Sequence, residues 1–148
     1  MTQTKVDKAL ATHAEGYNCA QAVLSSFTEE TGIDDKTAKM ISSCFGGGMR
    51  MGATCGALTG ALMVLGLNRG FSEYSPERKA VAEATCESFI SSWKAEIGET
   101  DCNKILSIDV CDPLQRTQGK ADGVFDRHCP SCIETAVRLA IIALQSAL

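Results

Sequence analysis

Residues 51–68 read MGATCGALTGALMVLGLN and carry no charged side chain. A membrane-spanning helix needs about 20 consecutive apolar residues, and this stretch is shorter and interrupted by glycines and threonines. We therefore predict a buried, glycine-rich central helix and no membrane span. Gly56 and Gly60 lie four residues apart and would leave a groove in which another helix can approach closely. If that groove is exposed, it could seat a second copy of the chain, so a homodimer is one prediction.

Helical patterning continues on both sides of this stretch. Apolar residues recur with helical spacing, and Asn18, Asp34 and Ser75 are suited to cap the starts of helices. The last helix is predicted from about Pro130 to Leu148. No convincing alternation of apolar and polar residues indicates a strand. The sequence predicts an all-α fold, a compact bundle of five to seven helices forming a single domain over residues 1–148.

Composition narrows the possible functions. The 148 residues are 45% hydrophobic and 22% charged, which excludes intrinsic disorder for most of the chain. The net charge is −4 and no run of Lys or Arg exceeds two residues, so no nucleic-acid partner is expected. The charged N-terminus does not resemble a signal peptide, which predicts a cytoplasmic protein. Eight cysteines in a reducing compartment indicate metal or redox chemistry.

Five of the cysteines share one predicted position, the start of a helix: Cys19, Cys55, Cys102, Cys129 and Cys132. The first three follow Asn, Thr and Asp, which cap helices, and Cys129 precedes a proline. Unpaired amides and the helix dipole favour negative charge at such positions. A thiolate is both the reactive form and the metal-binding form of cysteine. These five residues are therefore the candidate catalytic or metal-ligating groups.

The other cysteines and the histidines are assigned differently. Cys86 and Cys44 are predicted to pack in the core, and Cys111 receives no assignment. The two histidines are predicted to be surface or capping residues, although His128 could tune the adjacent Cys129. The segment 109–126 is predicted to be irregular or partly helical, either a surface loop or a lid over the cysteine site.

Known redox, haem, zinc and phosphate-binding motifs match this sequence only in part. Cys129-Pro130-Ser131-Cys132 is the single C-x-x-C motif and resembles a dithiol redox site, but no strand precedes it as in thioredoxin-like proteins. Covalent c-type haem requires C-x-x-C-H and is disfavoured, because Ile133 follows the motif. A zinc ribbon needs two such pairs. The spacing Gly47-x-x-x-x-Gly52 lacks the Lys-Ser/Thr of a phosphate loop, so nucleotide binding is also disfavoured.

Three segments together carry a resemblance to a known family. They are Gly16-Tyr17-Asn18-Cys19-Ala20-Gln21-Ala22-Val23, the stretch from Cys55-Gly56-Ala57-Leu58-Thr59-Gly60 to Leu67, and the later Cys102 and Cys129/Cys132. The chain resembles the C_GCAxxG_C_C family of redox-active cysteine proteins, which is similar to split-Soret cytochrome c but without its haem attachment motif. The resemblance implies redox or metal chemistry at Cys19, Cys55, Cys102 and one of Cys129 and Cys132. It supplies no substrate.

Three functions remain open at this point. The five thiols could exchange with the disulfide of an unknown redox partner, which would make the chain a thiol-disulfide oxidoreductase. They could instead form a cysteine-only site for an iron–sulfur cluster, Zn or another thiophilic metal. In the third hypothesis, the chain is a structural helical bundle whose thiols are inert.

Overall fold

The structure, a computed structural model, describes residues 1–146. Most of this range is helical, and its one β-bridge joins Thr54 to Asp101. A 3-10 turn spans Ser43–Phe45. The range contains nine α-helices: α1 (Thr2–Ala14), α2 (Cys19–Ser25), α3 (Thr28–Thr31), α4 (Asp35–Ile41), α5 (Gly56–Arg69), α6 (Pro76–Ile97), α7 (Cys102–Leu106), α8 (Pro113–Ala121) and α9 (Val124–Gln145).

The all-α prediction is confirmed, and the helices in the described range are shorter and more numerous than expected. The helix predicted to start after Asn18 is divided into α2 and α3, because Phe27 adopts a non-helical conformation while its side chain is fully buried. The segment 109–126, predicted to be partly helical, contains α8. Its start is capped by Asp112, whose carboxylate accepts a hydrogen bond from the Leu114 amide at 2.9 Å.

Helix α5 is the buried central helix that its sequence predicted, although it begins at Gly56 rather than at Met51. It packs against α2, α6 and α9. A Cβ atom on Gly60 would lie 2.9 Å from the carbonyl oxygen of Ala20, so the glycine lets α2 approach closely. The Gly56/Gly60 groove is therefore filled by α2 of the same chain. This corrects its predicted use as an exposed seat for a second copy.

Helix α9 begins earlier than predicted. Gly123 adopts a left-handed conformation with φ of 73° and turns the chain into a helix that starts at Val124. Pro130, expected at the helix start, lies inside α9. Cys129 and Cys132 are consequently one and two turns into the helix, so the prediction that they open it is wrong. The described helix ends at Gln145, and the predicted end at Leu148 lies outside the described residues.

The main core joins the two ends of the chain. Residues of α1, α2, α5, α6 and α9 form one buried apolar cluster that includes the fully buried Trp93, whose indole donates to the Glu99 carbonyl at 2.9 Å. A smaller cluster of Leu106, Val110 and Val124 packs beside Cys102 and Cys129. Over residues 1–146, no helix combines the length and the apolar character that crossing a membrane would require.

Candidate functional site: a five-cysteine cavity

The turn between α1 and α2 positions Cys19 as the first residue of α2. The Asn18 side chain accepts a hydrogen bond from the Gln21 amide at 2.8 Å, and the Gln21 side chain accepts one from the Asn18 amide at 3.0 Å. This reciprocal cap fixes the helix start. Asn18 also donates to the carbonyl of Ser43 at 3.1 Å. The cap therefore ties the start of α2 to the segment that leads toward Cys55.

A short pairing of two chain segments brings Cys55 and Cys102 together. The Cys55 amide donates to the Thr100 carbonyl at 2.8 Å, and the Cys102 amide donates to the Ala53 carbonyl at 2.6 Å. Cys55 is the N-cap residue of α5, and Cys102 is the first residue of α7. Cys102 follows its predicted cap residue Asp101, whereas Cys55 is itself the N-cap residue in place of the predicted Thr54.

The glycine-rich segment before Cys55 forms a left-handed turn. Gly47, Gly48, Met49 and Arg50 all have φ between 58° and 61°, a region that costs a non-glycine residue about 1–2 kcal/mol. In this turn Gly52 packs directly against the side-chain amide of Asn103. A Cβ atom on residue 52 would collide with that amide. Asn103 in turn accepts a hydrogen bond from the Val110 amide at 2.9 Å. The turn therefore locks the Cys55 segment against the Cys102 segment.

All five predicted site cysteines line one cavity of about 140 Å³. Cys55 and Cys132 are buried, and the other three are half-buried. The rest of the wall is mostly apolar and is supplied by Ile105, Leu106 and Phe125, with Gly47, Gly56, Asn18 and the two histidines completing it. The five thiols come from α2, the start of α5, α7 and α9, so the fold rather than local spacing assembles them.

Two thiols and one imidazole lie close together within the cavity. The sulfur atoms of Cys19 and Cys129 and a ring nitrogen of His13 all lie within 4.8 Å of one another. The sequence prediction placed His13 at the surface or in a cap, but its side chain is half-buried and faces the cavity. In the sequence, the helical spacing of His13 from Val6 and Leu10 places it on the same face of α1 as these apolar residues.

The thiols form two pairs in which one partner stabilises the thiolate of the other. Hydrogen bonding from the Cys132 thiol, aided by the amides of Ala57 and Leu58, lowers the pKa of Cys55. The same contact raises the pKa of Cys132. In the second pair, the Cys19 thiol lowers the pKa of Cys129, and donating that hydrogen bond raises the pKa of Cys19. In each pair, the contact thus favours ionisation of one thiol and disfavours ionisation of its partner.

Cys102 and His13 are shifted mainly by burial. Burial, followed by the charges of neighbouring thiolates, raises the pKa of Cys102 to about 12. Burial lowers the pKa of His13, against the smaller opposing effect of the Asp126 carboxylate. Neutral pH therefore favours an uncharged thiol at Cys102 and a neutral imidazole at His13.

The remaining cysteines lie outside this cavity. Cys44, predicted to pack in the core, is exposed because α4 ends at Ile41 and the chain turns along the surface. Cys86 is half-buried on α6. Cys111 is exposed, and its thiol donates to the Arg50 carbonyl at 3.1 Å. Residues 1–146 thus hold five clustered thiols and three separate ones.

Comparison with known proteins gives one match. The model of the family described as "Putative redox-active protein (C_GCAxxG_C_C)" matches residues 17–141. No curated protein and no solved structure matches the chain.

Proposed function

Because this chain belongs to the C_GCAxxG_C_C family of redox-active proteins, we propose that its cavity thiols carry out thiol/disulfide exchange. The observation that carries the proposal is the placement of the Cys19 and Cys129 sulfur atoms within 4.8 Å of each other in a shared cavity. A disulfide requires this kind of proximity between two cysteines from facing elements. In this role the chain is a thiol-disulfide oxidoreductase.

Cys129 is the attacking group in this proposal. Its lowered pKa favours the nucleophilic thiolate, and it is more accessible than Cys55. The Cys129 thiolate attacks a sulfur of the partner's disulfide, forms a mixed disulfide and releases the first partner thiolate. Cys19 passes its proton to the first released thiolate and attacks the Cys129 sulfur, which closes the Cys19–Cys129 disulfide and releases the second partner sulfur as a thiolate. The two cavity cysteines are thereby oxidised and one partner disulfide is reduced.

The pairing differs from the one that the C-x-x-C motif favours. A C-x-x-C motif would make Cys132 the thiol that resolves a mixed disulfide on Cys129. The contacts that shift the pKa values instead link Cys129 to Cys19 and Cys55 to Cys132. We propose Cys55 and Cys132 as a second, buried exchange pair. Such thiols need a reducing compartment to return to the dithiol state, and on that ground we place the protein in the cytoplasm.

The test is oxidation of the reduced protein in a glutathione redox buffer, followed by disulfide mapping with peptide mass spectrometry. We expect a Cys19–Cys129 disulfide to form first. Cys129→Ser should abolish it and slow the overall oxidation, whereas Cys44→Ser, which removes an exposed thiol outside the cavity, should oxidise like the wild type. Oxidation of Cys129→Ser at the wild-type rate would contradict the proposal.

A second candidate function is a cysteine-only site for an iron–sulfur cluster, Zn or another thiophilic metal. The observation that favours it is the convergence of five thiols on one largely apolar cavity. Elemental analysis of protein purified without oxygen or chelator distinguishes the two candidates. Near-stoichiometric metal that is lost in both Cys55→Ser and Cys102→Ser would favour the cysteine-only site. Metal-free protein with full exchange activity would exclude it.

A further inference from the structure

We infer that His13, Cys19 and Cys129 form a mixed nitrogen–sulfur site for a borderline or soft metal ion of the Zn²⁺ class. We call these three residues the His13 corner. The inference shares the Cys19–Cys129 pair with the proposed function, but it does not require that exchange takes place.

The donor atoms suit this class of ion. One imidazole nitrogen and two thiolate sulfurs are ligands that Zn²⁺ and its chemical relatives prefer, whereas Mg²⁺ and Ca²⁺ prefer oxygen. Residues 1–146 contain one His/Cys/Asp/Glu group of three or more whose donor atoms converge closely enough for a metal, and it is the His13 corner. The mixed donor set differs from the cysteine-only site that the sequence predicted.

The distances also fit a tetrahedral ion. Zn–S bonds of about 2.3 Å and Zn–N bonds of about 2.0–2.1 Å place neighbouring ligand atoms roughly 3.5–3.8 Å apart. The three donor atoms of the His13 corner lie within 4.8 Å of one another. Side-chain movements of about 1 Å or less would therefore close the corner around an ion, with no rearrangement of the helices.

The surroundings favour retention of an ion. The three ligands come from α1, α2 and α9, which pack against one another, so an ion would join elements that the core already holds together. The nearby cavity wall is largely apolar and includes Ile105, Leu106 and Phe125. A fourth position remains for another cavity thiol or an external ligand, as in zinc sites that have three protein ligands.

Metal binding and disulfide formation at this corner exclude each other, because both use the same two sulfur atoms. When a disulfide oxidises a zinc-bound Cys19–Cys129 pair, the two cysteine thiolates give up two electrons and form one S–S bond. The incoming disulfide accepts these electrons and leaves as two thiolates, and Zn²⁺ is released without a change of oxidation state. Oxidation would thus act as a metal-release signal.

Titration of the reduced, metal-stripped protein with Co²⁺ under anaerobic conditions tests the inference. Tetrahedral cobalt–thiolate sites have visible and near-ultraviolet absorption bands, and Zn²⁺ should displace the cobalt. We expect one equivalent to bind to the wild type. His13→Asn should weaken binding at least tenfold, since loss of an outer-shell partner alone typically costs roughly 10–100-fold. Cys44→Ser, which removes an exposed thiol outside the cavity, is the matched control and should bind like the wild type.

A rescue variant separates loss of a ligand from loss of structure. His13→Cys supplies a third soft donor and should restore tight Co²⁺ binding, with a spectrum shifted toward more thiolate ligands. If the wild type binds no Co²⁺, or if His13→Asn binds it as tightly as the wild type, the inference is overturned. If His13→Asn binds Co²⁺ as tightly as the wild type and Cys55→Ser loses binding, the metal belongs to the cysteine-only site. Disulfide mapping of metal-free protein tests the exchange proposal independently.

Discussion

At the scale of single residues, the same thiol group acquires different properties from its position. Cys55 caps α5 and has a lowered pKa because the Cys132 thiol and two helix amides stabilise its negative charge. Cys102 also starts a helix, yet burial raises its pKa to about 12. The sequence placed both at helix starts and predicted lowered pKa values for both. For Cys102 this was wrong, because desolvation outweighs the effect of a helix only five residues long.

The raised pKa of Cys102 predicts a loss of stability at high pH. Ionisation of this thiol is disfavoured only in the folded chain, so the free energy of unfolding is unaffected below about pH 9 and falls as the pH rises from there through about 12. Urea unfolding at a series of pH values measures this dependence. Cys102→Ser should show a shallower fall than the wild type over this range, and equal slopes would refute the prediction.

At the scale of secondary-structure elements, the contact between α5 and α2 sets the position of Cys19 relative to Cys55. A Cβ atom on Gly60 would lie 2.9 Å from the Ala20 carbonyl oxygen and 3.2 Å from the Val23 Cβ, within the backbone and core of α2. The wall of the cavity therefore depends on a glycine one turn beyond Cys55 and Gly56. Close helix packing of this kind tolerates no added atoms without a shift of the backbone.

Gly60→Ala is expected to lower the free energy of unfolding by about 1–3 kcal/mol, because α2 and α5 must move apart. Gly66→Ala is the matched control: it lies in the same helix, is exposed, and its Cβ would meet nothing within 4 Å. That control should be neutral or stabilising by about 0.4–1 kcal/mol. Urea unfolding of both variants measures the difference, and equal effects would show that the contact is not tight.

The elements also show how far the sequence could predict the site. Helix caps at Asn18, Asp34 and Ser75 were legible because each depends on residues within one turn, and the structure confirms all three. The start of α9 was misplaced because proline is normally disfavoured inside a helix, yet Pro130 lies within α9. The true start depends on the φ of Gly123. The sequence identified the five cysteines but not their pairing or the place of His13, since contacts between distant helices have no local signature.

At the scale of the whole molecule, the cavity links the beginning of the chain to its end. The proposed Cys19–Cys129 disulfide joins α2 to α9 and closes a loop of roughly 110 residues, for which chain entropy predicts a stabilisation of up to about 4–5 kcal/mol. The core already holds these helices together in the reduced state. Oxidation should therefore stabilise the fold rather than reshape it.

Guanidinium unfolding of reduced and oxidised wild type tests this expectation. The oxidised protein should unfold at a higher denaturant concentration, and its far-ultraviolet circular dichroism should remain that of the reduced protein. Cys19→Ser should show no gain on oxidation. A lower midpoint for the oxidised wild type would indicate that the disulfide strains the helices instead of cross-linking them as they stand.

Five thiols line the cavity, and an odd number cannot all pair with one another in disulfides. Two disulfides, Cys19–Cys129 and Cys55–Cys132, would leave one thiol unpaired. The remaining group is Cys102, whose raised pKa keeps it protonated and slow to react near neutral pH. A fully oxidised cavity would thus retain one free thiol that is a poor nucleophile near neutral pH. At alkaline pH this thiol would ionise and attack a neighbouring disulfide.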